Sequence, residues 1–378
     1  MVNSIYVIMK KAFVAVSRKG HYMKILQVCP RYYPYIGGVE EHVRNISERL
    51  AKKHEVVVCS TDSSGKLPSI EYINGVENRR FHSFAPGESY HFSLSLRSYL
   101  ENQSDYFDII HAHSYHGFPA FFASLSRHRS NFVFTPHYHG TGHTLVRSIL
   151  HIPYRTVGKE IFSKADKIVC VSASEKALVE KDFSSVSNKI CVIPNGVSLD
   201  EFKNFARNKK NHRTILTVGR LENYKGIHHL IKVLPIMDSD IILEIVGKGP
   251  FETFLFNLVN ELNLNNRVFF YNGLPRKDLL QKYFDADVFA LLSEHEAYGI
   301  CIAESLCAGT PCVVSPTSAL NEWIDNKNCF GITLPVNLNN LKNMIDLAMR
   351  SRVENASKVL DWSDVVGKLV SLYEELSG

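Results

Sequence analysis

The sequence lacks several features that would assign it to a specialised class of protein. Its eight cysteines form no C-x-x-C pair and no metal-ligand spacing, which favours buried, reduced thiols over disulfides or a zinc site. No apolar run approaches the roughly 18 residues that are needed to cross a bilayer. Short repeats and low-complexity tracts are also absent. We therefore expect an ordinary globular protein of the cytoplasm.

Length and charge narrow the class further. The 378 residues are 45% apolar and 21% charged, and a chain of this length is predicted to form two domains. Residues 1–200 carry 24 Lys and Arg against 17 Asp and Glu, whereas residues 201–378 carry 19 against 21. A basic first half favours an anionic partner or a lipid surface, although an asymmetry of this size also arises by chance. No nucleic-acid partner is expected.

Short apolar runs alternate with helical stretches in two successive regions. In the first region, residues 23–200, the predicted strands cover residues 25–28, 56–59, 109–111, 132–135, 168–171 and 190–193. After a polar, basic linker at 201–212, the second region, 213–360, has predicted strands at 215–218, 242–246, 268–271, 288–291 and 312–314. This alternation predicts an α/β fold with two doubly wound parallel sheets. Ligands are expected at the carboxyl ends of the strands, in the cleft between the domains.

The two ends of the chain lie outside this alternation. Residues 1–22 place two short apolar stretches around Lys10 and Lys11, a pattern unlike a secretory signal, and we predict an extension that is dispensable for folding. It is an accessory arm, a membrane-surface segment, or an upstream misreading of the true start. Residues 361–378 have apolar side chains at helical spacing and predict a terminal helix.

One segment, SEHEAYGICIAESLCAGTPCVVS at residues 293–315, indicates function most strongly. It predicts a helix over 297–307 with Glu296 and Glu304 across its opening. At about 1.5 Å per residue the two acids would lie roughly 12 Å apart along the axis. That is about the span from a sugar ring across a diphosphate to a ribose. The alternative is an amphipathic helix with two solvated acids.

Positive groups are predicted near these acids. The amides of the first helical turn, near Tyr298 and Gly299, carry the positive end of the helix dipole. Upstream, an apolar strand ends at Gly219 and is followed by Arg220 and Lys225. Two fixed cations at the carboxyl end of a strand suit a diphosphate, because Arg clamps its oxygens and Lys adds a point charge. Each cation alone is more often a surface residue.

These features follow one another in a recognisable order with other short motifs. The motifs are PYIGGVE at 34–40, DIIHAH at 108–113, TPH at 135–137, VSAS at 171–174, IPNGV at 193–197, VGR at 218–220 with KG at 225–226, VGKGP at 246–250, and Glu296 with Glu304. In this order they resemble glycosyltransferase family 4, the retaining nucleotide-sugar enzymes of the GT-B architecture. The resemblance covers nearly the whole chain. Ser198, Ala297 and Tyr298 replace the family's usual Asp, Gly and Phe, and these changes leave the choice of donor open.

The resemblance implies a set of donor-binding residues and a smaller catalytic set. The donor set is Gly37, Gly38, Arg220, Lys225, Gly247, Glu296, Ala297, Tyr298, Gly299, Ile300 and Glu304. The catalytic set is Arg220, Lys225, Glu296 and His137. Glu304 would bind the ribose hydroxyls and Glu296 the sugar. His113 stays open, because a packed core histidine fits it equally well, and any histidine of the loop around His137 could contact the donor.

The resemblance also implies the activity. The chain would move a sugar from a nucleotide-diphosphate sugar, its co-substrate, to a hydroxyl of a glycan or lipid-linked acceptor, with retention and without metal or cofactor. The first domain would bind the acceptor, and the terminal helix would cross back to it. Residues 143–164 mix apolar and basic side chains, which fits peripheral contact with the cytoplasmic face of a membrane and equally a packed helix with a basic outer face. Alternatives are a non-catalytic nucleotide-sugar-binding subunit and a GT-B epimerase or phosphorylase. Two Asp-x-Asp pairs, at 238–240 and 285–287, are predicted to serve turns or caps rather than a metal.

Overall fold

The structure, a computed structural model, describes residues 22–127, 129–140, 145–351, 353 and 358–378, with backbone alone for residues 145–153. The predicted extension at residues 1–22 therefore lies outside the described residues, apart from Tyr22. His143, in the predicted loop around His137, lies outside them as well. Within the described part, no helix combines the length and apolar character that a membrane span requires.

The first region folds into a sheet of eight strands, in the order β3-β4-β2-β1-β5-β6-β7-β8. The strands are β1 (Lys24–Val28), β2 (Glu55–Asp62), β3 (Ile70–Ile73), β4 (Val76–His82), β5 (Ile109–His113), β6 (Asn131–Thr135), β7 (Lys167–Cys170) and β8 (Ile190–Val192). All neighbouring pairs are parallel except β3 with β4. The helices of this region are α1 (Gly38–Leu50), α2 (Leu94–Gln103), α3 (Phe118–Ser126), α4 (Leu145–Lys164) and α5 (Ala173–Asp182).

Both faces of this sheet are buried. Successive residues of a strand point to opposite faces, so Leu26 and Val28 join one apolar cluster and Ile25 joins another. Near-continuous apolar strands are needed when helices cover both faces. This explains why the runs of Val, Ile, Leu and Phe in the sequence indicate parallel strands.

The hairpin of β3 and β4 was not predicted. Its two-residue turn is Asn74-Gly75, with φ of 48° at Asn74 and 86° at Gly75. Positive φ at both positions is typical of a type I′ turn, and Asn-Gly between two alternating runs is a strong hairpin signal. The prediction missed it because IEYI and VENRRFH are mixed in polarity, as expected at the edge of a sheet.

The second region forms a fully parallel sheet of six strands, in the order β12-β11-β10-β13-β14-β15. They are β10 (Arg213–Val218), β11 (Ile241–Val246), β12 (Val268–Tyr271), β13 (Val288–Leu291), β14 (Cys312–Val314) and β15 (Cys329–Gly331). Its helices are α6 (Ile227–Val233), α7 (Glu252–Glu261), α8 (Arg276–Asp285), α9 (Ile300–Cys307) and α10 (Leu338–Arg350). The prediction of two doubly wound Rossmann-like domains is confirmed, and β15 is an additional edge strand.

Two short strands and a terminal helix connect the regions. β9 (Gly196–Val197) pairs in parallel with β16 (Leu360–Asp361), and α11 (Trp362–Ser377) follows directly. A Cβ at Gly196 would lie 2.7 Å from the backbone nitrogen of Trp362, so glycine permits this close approach.

α11 packs on the first sheet rather than the second. Val365, Leu369 and Tyr373 are buried in the apolar cluster that contains Ile25, and the hydroxyl of Tyr373 lies 2.6 Å from Nδ1 of His111. The boundaries that we predicted for the two domains and the linker stay predictions.

A second contact joins the regions near the cleft. The carboxylate of Glu322, in the second region, accepts hydrogen bonds from the backbone N–H groups of Ala173 (3.2 Å) and Ser174 (2.6 Å). These amides open α5 of the first region, where the helix dipole favours a negative charge. Glu322 therefore caps a helix across the interface. This contact holds the carboxyl ends of the strands of both sheets at one cleft.

We expect Leu369→Ala to lower the free energy of unfolding by about 2–5 kcal/mol, because Leu369 is 1% exposed and its truncation leaves a cavity beneath α11. Lys368→Ala, at an exposed neighbour, should change it by less than about 0.5 kcal/mol. Urea unfolding of the two variants measures both values. A loss for Leu369→Ala as small as that of its neighbour would show that α11 does not pack on the first sheet.

Candidate functional site

The predicted cation and glutamate residues meet at the carboxyl ends of the second sheet. β10 leads into Gly219 and β11 into Gly247, and a Cβ at Gly247 would lie 1.9 Å from the carbonyl oxygen of Gly219. The φ of Gly247 is 145°, a conformation that side chains disfavour. The ends of β10 and β11 therefore approach each other with no side chain between them. Gly247, predicted as a donor residue, lines the base of the site.

A tight turn brings Lys225 to this base. Gly226 has φ of 68°, and a Cβ there would lie 2.3 Å from the carbonyl oxygen of Leu292, just beyond β13. The N–H of Glu294 donates to the carbonyl of Tyr224 at 2.8 Å. The turn before α6 is thus fixed against the chain leaving β13, which is the chain that carries Glu296.

Lys225 and Glu296 form an ion pair with little exposure to water. Nζ of Lys225 donates to Oε1 of Glu296, and the side chains are only 13% and 15% exposed. Burial favours the neutral amine, but the charge of Glu296 outweighs it and holds the pKa of Lys225 above its ordinary value. The structure therefore brings together two residues, 71 positions apart, that we predicted for the same site.

Arg220 lies nearby with more freedom. Its side chain is 53% exposed, and its Nη2 lies 3.1 Å from the carboxylate of Glu222. An exposed ion pair of this kind contributes little, so Arg220 is free to exchange Glu222 for a stronger anionic partner. Lys225 is the fixed cation of the site and Arg220 the movable one.

The predicted start of the helix near Glu296 is wrong. α9 begins at Ile300 rather than at Ala297, because Gly299 has φ of 91° and interrupts the helix. Glu296 lies in the preceding loop, where its N–H donates to the hydroxyl of Ser318 at 2.9 Å. The predicted separation of the two glutamates along one helical axis therefore does not apply.

The other residues of this loop lie around the start of α9. Tyr298 is 7% exposed and its ring packs against Trp323, whose indole N–H donates to the carbonyl of Tyr298 at 2.7 Å. Its ring is therefore part of the core, and its assignment to the donor set stays a prediction. Ala297 and Ile300 are half-buried, so mainly backbone is available at this helix end.

Glu304 lies one turn inside α9 and is almost buried, with 9% exposure. Its Oε1 accepts a hydrogen bond from Nη1 of Arg276 at 2.5 Å. The charges of Glu296, Lys225 and Glu304 all act on the thiol of Cys301, whose pKa is raised chiefly by burial. Glu304 and the pair of Lys225 and Glu296 therefore share Cys301 as an electrostatic neighbour.

Arg276 was missed in the sequence. It is the first residue of α8 and donates through Nε to Glu201 at 2.9 Å, as well as to Glu304. A cation at the start of a helix opposes the helix dipole, and this was the available signal. A residue that tolerates an unfavourable helix position is expected to have compensating partners, and here these are two carboxylates.

The amino-terminal end of α1 faces this cluster from the first region. Gly37 and Gly38 open the helix, and neither has a left-handed φ; the φ of Gly37 is −179°, which any residue adopts. Burial raises the pKa of Glu41 on the same helix, with Arg276 among the charges that lower it and Glu304 among those that raise it. The predicted glycine loop therefore lies near Glu304, although its backbone alone does not require glycine.

His113 and His137 lie in a buried layer with His42 and His111. Nδ1 of His42 lies 2.6 Å from Oδ1 of Asn195, and Nε2 of His113 lies 2.7 Å from Oε1 of Gln27. Burial lowers the pKa of His42 to about 4, and that of His113 and His137 well below its ordinary value, so the rings are neutral near pH 7.

Among the described residues, His42, His113 and His137 are the group whose ligand atoms, within 4.8 Å of one another, could hold a metal ion. The two Asp-x-Asp pairs lie elsewhere and have other partners. Asp238 and Asp240 bind Arg213, and Asp285 and Asp287 bind Asn208 and Arg207 of the predicted linker.

Comparison with known proteins agrees with this geometry. The profile described as Glycosyltransferase Family 4 matches residues 36–201, and the profile described as Glycosyl transferases group 1 matches residues 199–359. Together they span residues 36–359 and overlap at residues 199–201.

Similar proteins span nearly the same length. An uncharacterized glycosyltransferase of Methanocaldococcus jannaschii is 27% identical over 93% of this chain and 98% of its own. A GDP-mannose:cellobiosyl-diphosphopolyprenol alpha-mannosyltransferase of Komagataeibacter xylinus is 23% identical over 94% of each chain.

Solved structures share the fold at low sequence identity. Sucrose-phosphate synthase from Thermosynechococcus elongatus superimposes with a TM-score of 0.78 at 19% identity, covering 93% of this chain and 99% of its own. Anabaena HepE in complex with UDP-glucose gives a TM-score of 0.74 at 18% identity, covering 94% and 100%. The predicted GT-B architecture is confirmed.

A double-mutant cycle of Lys225→Met and Glu296→Gln should give a favourable coupling of about 1–3 kcal/mol, because each single change leaves the other charge half-buried and unpaired. The free energies of unfolding of the two single variants and the double variant measure it. The matched cycle of Arg220→Met and Glu222→Gln, at the more exposed pair, should give less than about 1 kcal/mol. Equal coupling in the two cycles would contradict the fixed and movable roles of the two cations.

Proposed function

The chain belongs to glycosyltransferase family 4, a group that uses nucleotide-sugar donors, and on this premise we propose that it transfers a sugar with retention of anomeric configuration. The donor is a nucleotide-diphosphate sugar and the acceptor is a hydroxyl of a glycan or lipid-linked glycan. The observation that carries the proposal is the half-buried pair of Lys225 and Glu296 at the carboxyl end of the second sheet, beside Glu304 and the start of α9.

The leaving group needs positive charge. As the bond from the anomeric carbon to the phosphate oxygen breaks, negative charge grows on the diphosphate, and preorganised cations stabilise it. Lys225 is held in place for this role, and Arg220 is free to close on the second phosphate. The backbone amides at the start of α9, from Gly299 to Ile300, add the positive end of a helix dipole.

The two glutamates hold opposite ends of the donor in this proposal. Glu296 accepts hydrogen bonds from sugar hydroxyls while it keeps Lys225 in position. Glu304, deeper in α9, accepts hydrogen bonds from the ribose hydroxyls. Carboxylates suit both tasks, because charge-assisted hydrogen bonds to hydroxyls are short and strong.

The transfer itself needs no enzymic nucleophile. The acceptor oxygen attacks the anomeric carbon from the face that the diphosphate leaves, the bond from carbon to the phosphate oxygen breaks, and the acceptor proton passes to that phosphate oxygen. Attack on this face gives retention. His137 is proposed to contact the donor from the first region; its ring is 7% exposed and neutral near pH 7, so it acts as a polar contact rather than a cation. His113 is deeper and is assigned no role in the transfer.

The acceptor class rests on relatives and on α4. The relative from Komagataeibacter xylinus is named for an acceptor on a diphosphopolyprenol, which favours a lipid-linked acceptor here. In the described part of α4, Tyr154 and Phe162 are buried while Arg155 and Lys159 are exposed. A basic outer face of this kind supports peripheral contact of the first domain with the cytoplasmic face of an anionic membrane.

Incubation of the purified chain with UDP-, GDP- and ADP-sugars tests the proposal. We expect slow release of free sugar and nucleoside diphosphate from one donor without any acceptor, because water replaces the acceptor hydroxyl. Binding without release would indicate a non-catalytic subunit, and conversion to another sugar nucleotide would indicate an epimerase. Release of sugar only from a glycan, and only when inorganic phosphate is supplied, would indicate a phosphorylase.

We predict that Glu296→Gln and Glu304→Gln fail in different ways. Glu304→Gln loses charge-assisted hydrogen bonds, worth about 1.5–3 kcal/mol each against about 1 for neutral ones, so affinity for the nucleoside diphosphate falls. Glu296→Gln keeps an oxygen that accepts a hydrogen bond from Lys225 and removes the charge at the sugar, so turnover falls while that affinity stays nearly unchanged. Calorimetric titration of the nucleoside diphosphate beside donor-hydrolysis kinetics measures both, with exposed Glu294→Gln as control. Equal loss of nucleotide affinity in the two variants would contradict the proposed layout.

We also predict that turnover survives chelation. Among the described residues, the group with metal-ligand geometry is the histidine layer, whereas Lys225 and Arg220 supply charge where the diphosphate is proposed to bind. The assay compares donor hydrolysis with and without EDTA, and then with Mg²⁺ or Mn²⁺ added back. Loss of activity with EDTA that Mg²⁺ or Mn²⁺ restores would contradict the proposal.

A further inference from the structure

Arg276 lies at the protein surface and yet contacts two carboxylates. Its guanidinium bridges Glu304 at 2.5 Å and Glu201 at 2.9 Å, although its side chain is 42% exposed. Three carboxylates, those of Glu304, Glu201 and Glu41, lie in its electrostatic environment, and they come from α9, from the start of the predicted linker and from α1. One cation therefore bridges a carboxylate of the second domain and one at the start of the predicted linker, and its charge also acts on Glu41 of the first domain.

The contact with Glu304 is directional. Arg276 donates through Nη1 to Oε1, so one oxygen of the carboxylate is engaged and its plane is restricted. A buried carboxylate without a partner would be costly, and Arg276 offsets this cost at the 9% exposed Glu304. The second oxygen, Oε2, is not engaged by Arg276, and the phenol of Tyr283 is a further neighbour of this carboxylate.

The contact with Glu201 restricts Arg276 in turn. Nε and Nη2 both lie 2.9 Å from the same oxygen of Glu201, in a short turn at residues Leu199–Phe202. Anchoring on this turn removes much of the rotational freedom that a long arginine side chain otherwise retains. The guanidinium is thus held from one side so that it can hold Glu304 on the other.

We propose that Arg276 is a positioning residue for nucleotide recognition, which orients the carboxylate of Glu304 so that the oxygen not bound by Arg276 meets the 2′- and 3′-hydroxyls of the donor ribose. The inference rests on the proposed function, since it assumes that Glu304 binds ribose. It adds a residue outside the predicted donor set and a means by which the turn at Leu199–Phe202 affects affinity for the nucleotide.

The test compares nucleotides with and without the two hydroxyls. UDP, GDP and ADP, each beside its 2′,3′-dideoxy counterpart, are titrated into the full chain, and the ratio of the two dissociation constants is taken for whichever base binds. In the unmodified chain we expect the ribonucleotide to bind at least about tenfold more tightly. Arg276→Gln should reduce this ratio to about threefold or less and leave affinity for the dideoxy nucleotide unchanged within about twofold.

Two variants serve as controls. Arg276→Lys keeps a cation and should recover part of the ratio of the two dissociation constants. Its amine reaches Glu304 but cannot also make both contacts with Glu201. Lys277→Gln removes the exposed neighbouring charge and should keep the full ratio. Unchanged affinity for the dideoxy nucleotide also reports that the variant is folded, since that nucleotide needs the rest of the site.

The outcomes separate the two proposals. If no nucleotide binds the unmodified chain, the proposed function fails and the inference fails with it. If both nucleotides bind equally well, the ribose contact of Glu304 is wrong. If the unmodified chain shows the ratio but Arg276→Gln keeps it, or weakens both nucleotides equally, the positioning role is overturned while the proposed function stands.

Discussion

The charged side chains at the carboxyl ends of the strands of the second sheet remain ionised because each is paired with a charge of opposite sign. Lys225 is paired with Glu296, and Glu304 with Arg276, in surroundings where an unpaired charge would be strongly disfavoured. These pairs form before any ligand binds, so the site is preorganised for a molecule with both an anionic centre and hydroxyl groups. A nucleotide-diphosphate sugar has this composition, with hydroxyls at each end and a diphosphate between them.

The backbone makes the pairs geometrically feasible. Gly226 and Gly247 allow strand ends and turns to approach more closely than a Cβ would permit, which places Lys225 beside the loop of Glu296. The return of α11 to the first sheet and the cap of Glu322 on α5 then hold the two domains face to face. Specific side-chain chemistry thus depends on close backbone contacts and on two links between the domains.

The architecture could be predicted because both sheets are buried and parallel apart from the β3–β4 edge pair, which leaves clear apolar runs in the sequence. The pairing of Lys225 with Glu296 could be anticipated only as membership of one site, since the local pattern around each residue does not specify its partner. The start of α9 was misplaced because Gly299 adopts a left-handed conformation that composition does not reveal. Arg276 was missed because its role comes from Glu201 and Glu304, 75 and 28 positions away along the chain.

We propose that the paired but available cations of this cleft, Lys225 and Arg220, select a diphosphate. The most direct test of this proposal is calorimetric titration of nucleoside diphosphates and of the matching monophosphates into the unmodified chain and into Lys225→Met. We expect one diphosphate to bind the unmodified chain at least about tenfold more tightly than its monophosphate, and Lys225→Met to remove most of this preference. Equal affinity of the unmodified chain for the two nucleotides, or a preference that Lys225→Met leaves intact, would contradict it.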